Sequence, residues 1–384
     1  MLRHLRIALL AVLGICAYPA FAQHDDFAHF DVYAAGDAIH LLTGHGKKGG
    51  PAIALFHRVS RDGGAGWSKP VRVNPPERER LTAHHPGENP QVAASGNRVV
   101  VAWTEPRPNA RRGGLIATMV SDDGGATWKN GPVPFQDAAG SQTFMRMIAN
   151  GNTLHMAWLD SREGSQGLRY ARSADAGATW GRDVALAPRT CDCCWNSIAA
   201  TPSGQVSVLY RGGEPRDMMH IASADGATWG KPVSIDGFGW RVDACPHVGG
   251  ALALRGGDLH ALTWSGRDDV LGLYHAVQGA SGWSKPRRLG SADARNADLV
   301  SDHDGTLIAV WDERGSRGSP LRLARSRDGG TTWGAVETIP AKREATHPRV
   351  VATTRGIATF WFEGQPWSGA RLLVNGRGID SPVR

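Results

Sequence analysis

The run "SRDGGTTW", Ser326 to Trp333, recurs as "SDDGGATW" ending at Trp128 and "SADAGATW" ending at Trp180. Looser copies are "SRDGGAGW" ending at Trp67 and the one-residue-shorter "SADGATW" ending at Trp229, while "VQGASGW" ending at Trp283 has lost the aspartate. Successive tryptophans lie 61, 52, 49, 54 and 50 residues apart, a supersecondary period of propeller size. Each run suits a tight turn between two strands. The aspartate binds nearby backbone amides, glycine accepts a positive φ, and tryptophan packs the turn against the sheet. These runs therefore read as structural staples rather than as catalytic groups.

A second pattern precedes each box: a strand, a polar turn and a further strand that often ends in tryptophan. Examples are "PQVAASGNRVVVAW", "MRMIANGNTLHMAW", "NSIAATPSGQVSVLY", "GGALALRGGDLHALTW" and "ADLVSDHDGTLIAVW", with "FDVYAAGDAIHLLTG" first and "PRVVATTRGIATFWFEG" last. That makes seven units. The last lacks a box and shows one later strand, "ARLLVNG", so its outer strand is expected from elsewhere, with the mature N-terminus the available segment.

S-x-D-x-G-x-T-W is the Asp box, or BNR repeat, and on it the chain resembles the sialidase superfamily. The expected fold is all-β, a single propeller of seven four-stranded blades, although the resemblance itself favours six. Abundant glycine (49 residues), 14 tryptophans and no sustained amphipathic helical pattern agree with many short strands and tight turns.

The N-terminus, "MLRHLRIALLAVLGICAYPAFAQ", places Arg3 and Arg6 before an apolar run and a small-x-small signal at Ala20-Phe21-Ala22. It reads as a signal peptide over 1–22, followed by one propeller over 23–384, in a periplasmic or secreted protein. No later run approaches the roughly 20 apolar residues of a membrane helix. Cleavage after Ala22 lowers the net charge from +7 to +5. The charges are scattered, so nucleic acid is not an expected partner. Oligomeric state is not legible.

In an up-and-down blade the boxes are turns between third and outer strands, and they share a face with the turns between first and second strands. Those turns are plain: "SGN", "NGN", "PSG", "GGD", "HDG". The opposite face carries "TEPRPNARRGG", "LDSREGSQG", "RGGEPRD" and "DERGSRG" in its loops, with "AHHPGEN", "TFMR", "RTCDCCWN", "RVDACPH", "DARNAD" and "EATHPR" in its crossovers. Any one polar loop needs no functional explanation. The asymmetry between the faces assigns the site to the second, at the mouth of the central channel.

Resemblance to sialidases implies an arginine cluster gripping a carboxylate, a carboxylic acid, and a tyrosine activated by glutamate. Arg146, Arg241, Arg295 and Arg349 stand at entrances to first strands and are candidate ligand contacts, as are His84, His85 and His347. Tyr210 with Glu214 is the least poor nucleophile pair, and Glu105 and Asp160 are the other candidate acids. The Arg-Ile-Pro signature of the family is absent, and no tyrosine sits in a recognisable nucleophile motif. The expected function is binding of a small ligand, glycan or metal without standard sialidase catalysis. The alternatives are a divergent exo-acting glycoside hydrolase of exo-alpha-sialidase type and, third, a protein-interaction scaffold.

Four cysteines remain after maturation: Cys191, Cys193, Cys194 and Cys245. With an even count in an oxidising compartment, disulfides lead. One from Cys245 to the cluster closes a loop of roughly 50 residues and contributes on the order of 4 kcal/mol. The rival is a soft-metal site of thiolates and His247, with copper(I) favoured over zinc because C-x-C-C differs from zinc's usual C-x-x-C.

Overall fold

In the computed structural model, which describes residues 26–46, 52–78, 87–107, 113–315, 319–364 and 371–379, the chain forms seven antiparallel sheets in sequence order. The blades span 26–72, 91–130, 142–187, 197–234, 251–288, 294–339 and 345–378. Two short 3-10 turns, Pro76–Arg78 and Asp268–Val270, are the only helical elements among the described residues. The seven-blade expectation holds and the six-blade alternative falls. The expected signal segment lies outside the described residues, and no described helix is long and apolar enough to cross a membrane.

Each blade packs its inner strand against those of its two neighbours, and the last, Ala345–Thr353, returns to the first, Asp26–Ala35. That contact closes the ring. The expectation of a borrowed outer strand in the seventh blade is corrected: Arg371–Val374 turns through Asn375 and Gly376, both at positive φ, and pairs with Arg377–Gly378. Asn375 Oδ1 accepts the Thr359 amide at 2.8 Å, so an Asn-Gly turn replaces the missing box. With no strand exchanged among the described residues, closure there rests on side chains. Phe27, Phe30, Ile39 and Leu41 pack on Phe360, Phe362 and Leu372, and Asp37 Oδ1 accepts the Thr354 amide at 3.0 Å.

The boxes lie between third and outer strands, as their composition requires. In the second blade Ser121 Oγ binds Asp123 at 2.7 Å and accepts the Gly125 amide at 2.8 Å, while Asp123 accepts the Thr127 amide at 2.9 Å. These donors hold the Asp123 carboxyl well below its ordinary range, the Thr127 hydroxyl contributing most. The Gly124 amide reaches the Asn97 carbonyl at 2.8 Å and the Ala176 amide reaches that of Asn152 at 2.7 Å, which puts boxes and inner hairpin turns on one face.

Four of the box tryptophans meet a ring on the third strand of the preceding blade, edge-on, while Trp67 meets Phe360 on a second strand. The pairs are Trp128 on His57, Trp229 on Tyr170, Trp283 on His220 and Trp333 on His275, with centroids 4.7–5.4 Å apart. Three of these rings bond a second-strand histidine: His57 to His40 at 3.0 Å, Tyr170 to His155 at 2.6 Å and His275 to His260 at 3.1 Å. Repetition of the box therefore builds a seam between blades.

Candidate functional site at the channel mouth

Inner strands run from the mouth toward the box face, so their first residues rim the channel. All seven blades contribute: Phe30, Gln91, Arg146, Ser197, Gly250, Asp298 and Arg349 line one pocket together with Trp195, Asn196, Asn296 and His347. Neighbouring inner strands are tied by side chains that accept the next blade's backbone amide. Asp31 takes Val92 at 3.0 Å, Ser197 takes Leu252 at 3.0 Å and Asp298 takes Val350 at 3.0 Å.

Four entrances carry a non-glycine residue in the left-handed region: Phe144, His247, Asn296 and His347, at φ 46–53°. Register breaks accompany those in the sixth and seventh blades, between Arg295 and Asp298 and between Thr346 and Arg349. Each such bulge re-aims the residue two positions on, which is Arg146, Asp298 or Arg349 in three of the four cases.

The mouth charges form one balanced network. Arg146 contacts buried Asp31 at 3.1 Å and Gln91 at 3.2 Å, while Arg349 binds Asp298 at 3.0 Å and approaches Asp31 at 3.6 Å. Burial, with repulsion from Arg349, lowers the pKa of Arg146; for Arg349 burial acts the same way, but the attraction of Asp298 and Asp31 outweighs it. Behind the rim, Asp312 accepts hydrogen bonds from Asn296 (2.9 Å), Thr346 (3.0 Å) and the His347 amide (2.9 Å), and burial pushes it up to about 6.

Of the arginines anticipated from sequence, Arg146 and Arg349 meet at the mouth, and His347 joins them with its ring 6.0 Å from that of Trp195. Arg241 does not: it is exposed and paired with Glu214. Arg295 lies over Trp264 at 4.8 Å with Nη2 on the Pro246 carbonyl at 3.3 Å. His84 and His85 lie outside the described residues. The Tyr210–Glu214 pairing is absent. Tyr210 is buried in the core between the third and fourth blades, where burial raises its phenol to about 12, and Glu214 belongs to Arg241. Asp160 is locked by Arg162 at 2.7 Å and Trp158 at 2.9 Å, and Glu105 by Arg78 at 2.9 Å. Asp312 is one of the carboxylates that follow second strands in the sequence, whereas Asp31 and Asp298 sit in no motif. Their signal was positional, an acid at the start of an inner strand or the end of a second one, and it emerges only when the blades are superimposed.

The cysteines occupy adjacent crossovers. The Cys191 amide donates to the Arg211 carbonyl at 3.0 Å, anchoring the buried trio Cys191, Cys193 and Cys194 to the end of a second strand. Cys191 Sγ lies 2.9 Å from that of Cys194 and 3.7 Å from that of Cys193. Cys193, exposed Cys245 and His247 bring ligand atoms within 4.8 Å of one another. Hydrogen bonds from Cys193 and Cys194 hold the Cys191 thiol far below its usual range, and those two are pushed above theirs, Cys194 chiefly by burial.

Among solved structures, a Dyadobacter fermentans protein of unknown function is similar at 13% identity and TM-score 0.53, over 91% of this chain and 94% of that one. The alpha-L-arabinofuranosidase of Fusarium graminearum with an iminosugar inhibitor gives 13% and 0.53 over 80% and 95%. The Penicillium chrysogenum alpha-L-arabinanase with arabinobiose gives 14% and 0.51 over 93% and 95%. Identities this low show the shared fold alone. No curated protein matches the chain significantly. Residues 30–239, more than half of the sequence, match the BNR repeat-like domain, and with boxes stapling seven blades the chain belongs to that family as a sialidase-like BNR β-propeller.

Proposed function

We propose that this is an exported binding protein that takes a neutral carbohydrate at the channel mouth and does not release sialic acid. The observation that carries this reading is the pairing of Arg146 and Arg349 with Asp31 and Asp298. A sialidase needs guanidiniums free to grip a substrate carboxylate, and here two buried or half-buried aspartates already hold that position. What the rim offers instead is amides and aromatics, Gln91, Asn196, Asn296, Trp195 and Phe362, the mixture that binds hydroxyls along one edge of a sugar and its apolar face on the other. Propellers of the same fold bind arabinobiose and an iminosugar, which supports a carbohydrate over other small polar ligands.

Titration calorimetry with arabino-oligosaccharides and with a sialylated trisaccharide tests the reading. A neutral oligosaccharide binds, and Trp195→Ala weakens it by about tenfold or more, equivalent to about 1.4 kcal/mol. Steady release of sialic acid that Tyr210→Phe abolishes overturns the proposal. A divergent hydrolase is favoured by one feature, an acid held near pH 6 behind the rim at Asp312. Turnover of aryl glycosides lost in Asp312→Asn, with binding retained, supports that alternative.

A further inference from the structure

The crossover bearing Cys245 and His247 is held by two cations. Arg211 Nε donates to the Val248 carbonyl at 3.0 Å, and Arg295 Nη2 donates to the Pro246 carbonyl at 3.3 Å, so guanidiniums clamp the backbone on both sides of His247. His247 itself is bent into the left-handed region at φ 53°. The clamp presents its imidazole and the Cys245 thiol to Cys193, which also belongs to the trio with Cys191 and Cys194. Cys193 is thus common to two overlapping ligand triads.

Charge and packing point the same way. Arg211 is 1% exposed, its donors go to backbone carbonyls, and no ion pair joins it or Arg295 to a carboxylate among the described residues. Both guanidiniums lie over tryptophan rings: Arg211 over Trp240 at 5.3 Å and Trp264 at 5.9 Å, Arg295 over Trp264 at 4.8 Å. Carbonyls satisfy the hydrogen bonds of these cations, while the carboxylates that attract them, Asp236 for Arg211 and Asp312 for Arg295, make no direct ion pair with them. Two disulfides would be neutral. A monovalent ion bound by two or three thiolates carries net negative charge and adds a counter-charge beside the clamp. Trp195, Trp240 and Trp264 form an apolar cluster alongside, and Gly249 is required there because a Cβ would lie 2.4 Å from the Trp195 carbonyl.

We propose that Cys191, Cys193, Cys194, Cys245 and His247 form a site for a thiophilic monovalent metal ion, copper(I), with Cys193 as the shared ligand. Thiolate and imidazole donors in a cation-flanked pocket, buried at the trio and open at Cys245, suit a soft d10 ion, and the crowded C-x-C-C spacing suits low coordination better than a zinc tetrahedron. Each thiol that ligates gives its proton to solvent, and no electron transfer is required. The site is separate from the carbohydrate reading and stands or falls without it.

The experiment uses the full chain, expressed with its N-terminal segment and purified without reductant. Thiols are counted after denaturation, and the reduced protein is titrated anaerobically with copper(I) against a chromophoric chelator, with a parallel zinc titration. The expected results are four reactive thiols in the chain processed after Ala22, which has lost Cys16, at least one copper(I) retained per chain, and copper X-ray absorption showing sulfur neighbours. Cys193→Ser weakens retention by about 100-fold or more and His247→Ala by about tenfold, with circular dichroism unchanged. If Cys193→Ser does not fold, the stoichiometry and absorption of the wild-type chain decide. Two disulfides in the protein as purified, no copper(I) retained after reduction, zinc retained in its place, or retention indifferent to Cys193→Ser each overturn the assignment.

Discussion

On the box face, positive φ falls mainly to glycine, with Ala176 and Asn375 the exceptions. Gly125, Gly226 and Gly330 sit at 71–94°, and a Cβ on Gly125 or Gly330 would lie 2.0–2.2 Å from the ring of His57 or His275. At the inner-strand entrances on the mouth face, left-handed positions fall to Phe144, His247, Asn296 and His347, which carry full side chains at a backbone cost. The first arrangement minimises strain and repeats. The second accepts strain, repeats in backbone shape, and varies in chemistry from blade to blade. A ring of near-identical staples thus holds a set of non-identical side chains at the channel mouth.

Acid is the strongest way to separate the faces. Burial pushes His57 down to about 3 and His40, His155, His220 and His275 to about 4, so the folded box-face seam refuses protons that the unfolded chain binds below its ordinary 6.5. Their contribution is complete above that value and is lost as pH falls toward 4, at about 1.4 kcal/mol per pH unit for each histidine. Acids near the mouth act oppositely: burial raises Glu88 and Asp236 to about 7 and Asp312 to about 6, so the folded state binds protons before the unfolded chain does. Five histidines with larger summed shifts outweigh three acids. Urea midpoints should therefore fall from pH 7 to 4, and a midpoint that rises breaks the comparison.

The next largest effect belongs to the mouth. Asp31→Asn leaves Arg146 and Arg349 sharing one carboxylate and should destabilise the protein by about 3–5 kcal/mol, read from chemical denaturation. The same variant should bring measurable affinity for a sialylated trisaccharide, because it uncovers the guanidiniums.

Matched substitutions at left-handed positions sharpen the contrast. Gly330→Ala drives a methyl into His275 and should cost about 2–4 kcal/mol, whereas His347→Gly relieves backbone strain and should stay within about 1 kcal/mol of the parent while altering ligand affinity. Equal losses of stability would show that the two faces are built alike. At the bottom of the scale, Glu214→Gln removes an exposed pair with Arg241 and should change stability by less than about 0.5 kcal/mol, with no effect on binding.

Turn chemistry was legible in the chain itself because it is local. Serine, aspartate and glycine two to four residues apart satisfy one another's hydrogen bonds, so the boxes, their face and the number of blades follow from short-range pattern. Separating the face of the boxes from the face of the candidate site needed only strand order. Tertiary structure decided what no short window contains: that Asp31 in the first blade neutralises Arg146 in the third and Arg349 in the seventh, that Tyr210 is interior while Glu214 is exposed, and that the seventh blade supplies its own outer strand. The cysteines divide the same way. Spacing and strand order put the cluster and Cys245 with His247 on neighbouring crossovers, but only packing brings Cys193 to them and Arg211 and Arg295 in from other strands. Electrostatic partners lie far apart in sequence because a propeller's channel is rimmed by one short segment from every blade, and burial determines which of those charges must pair.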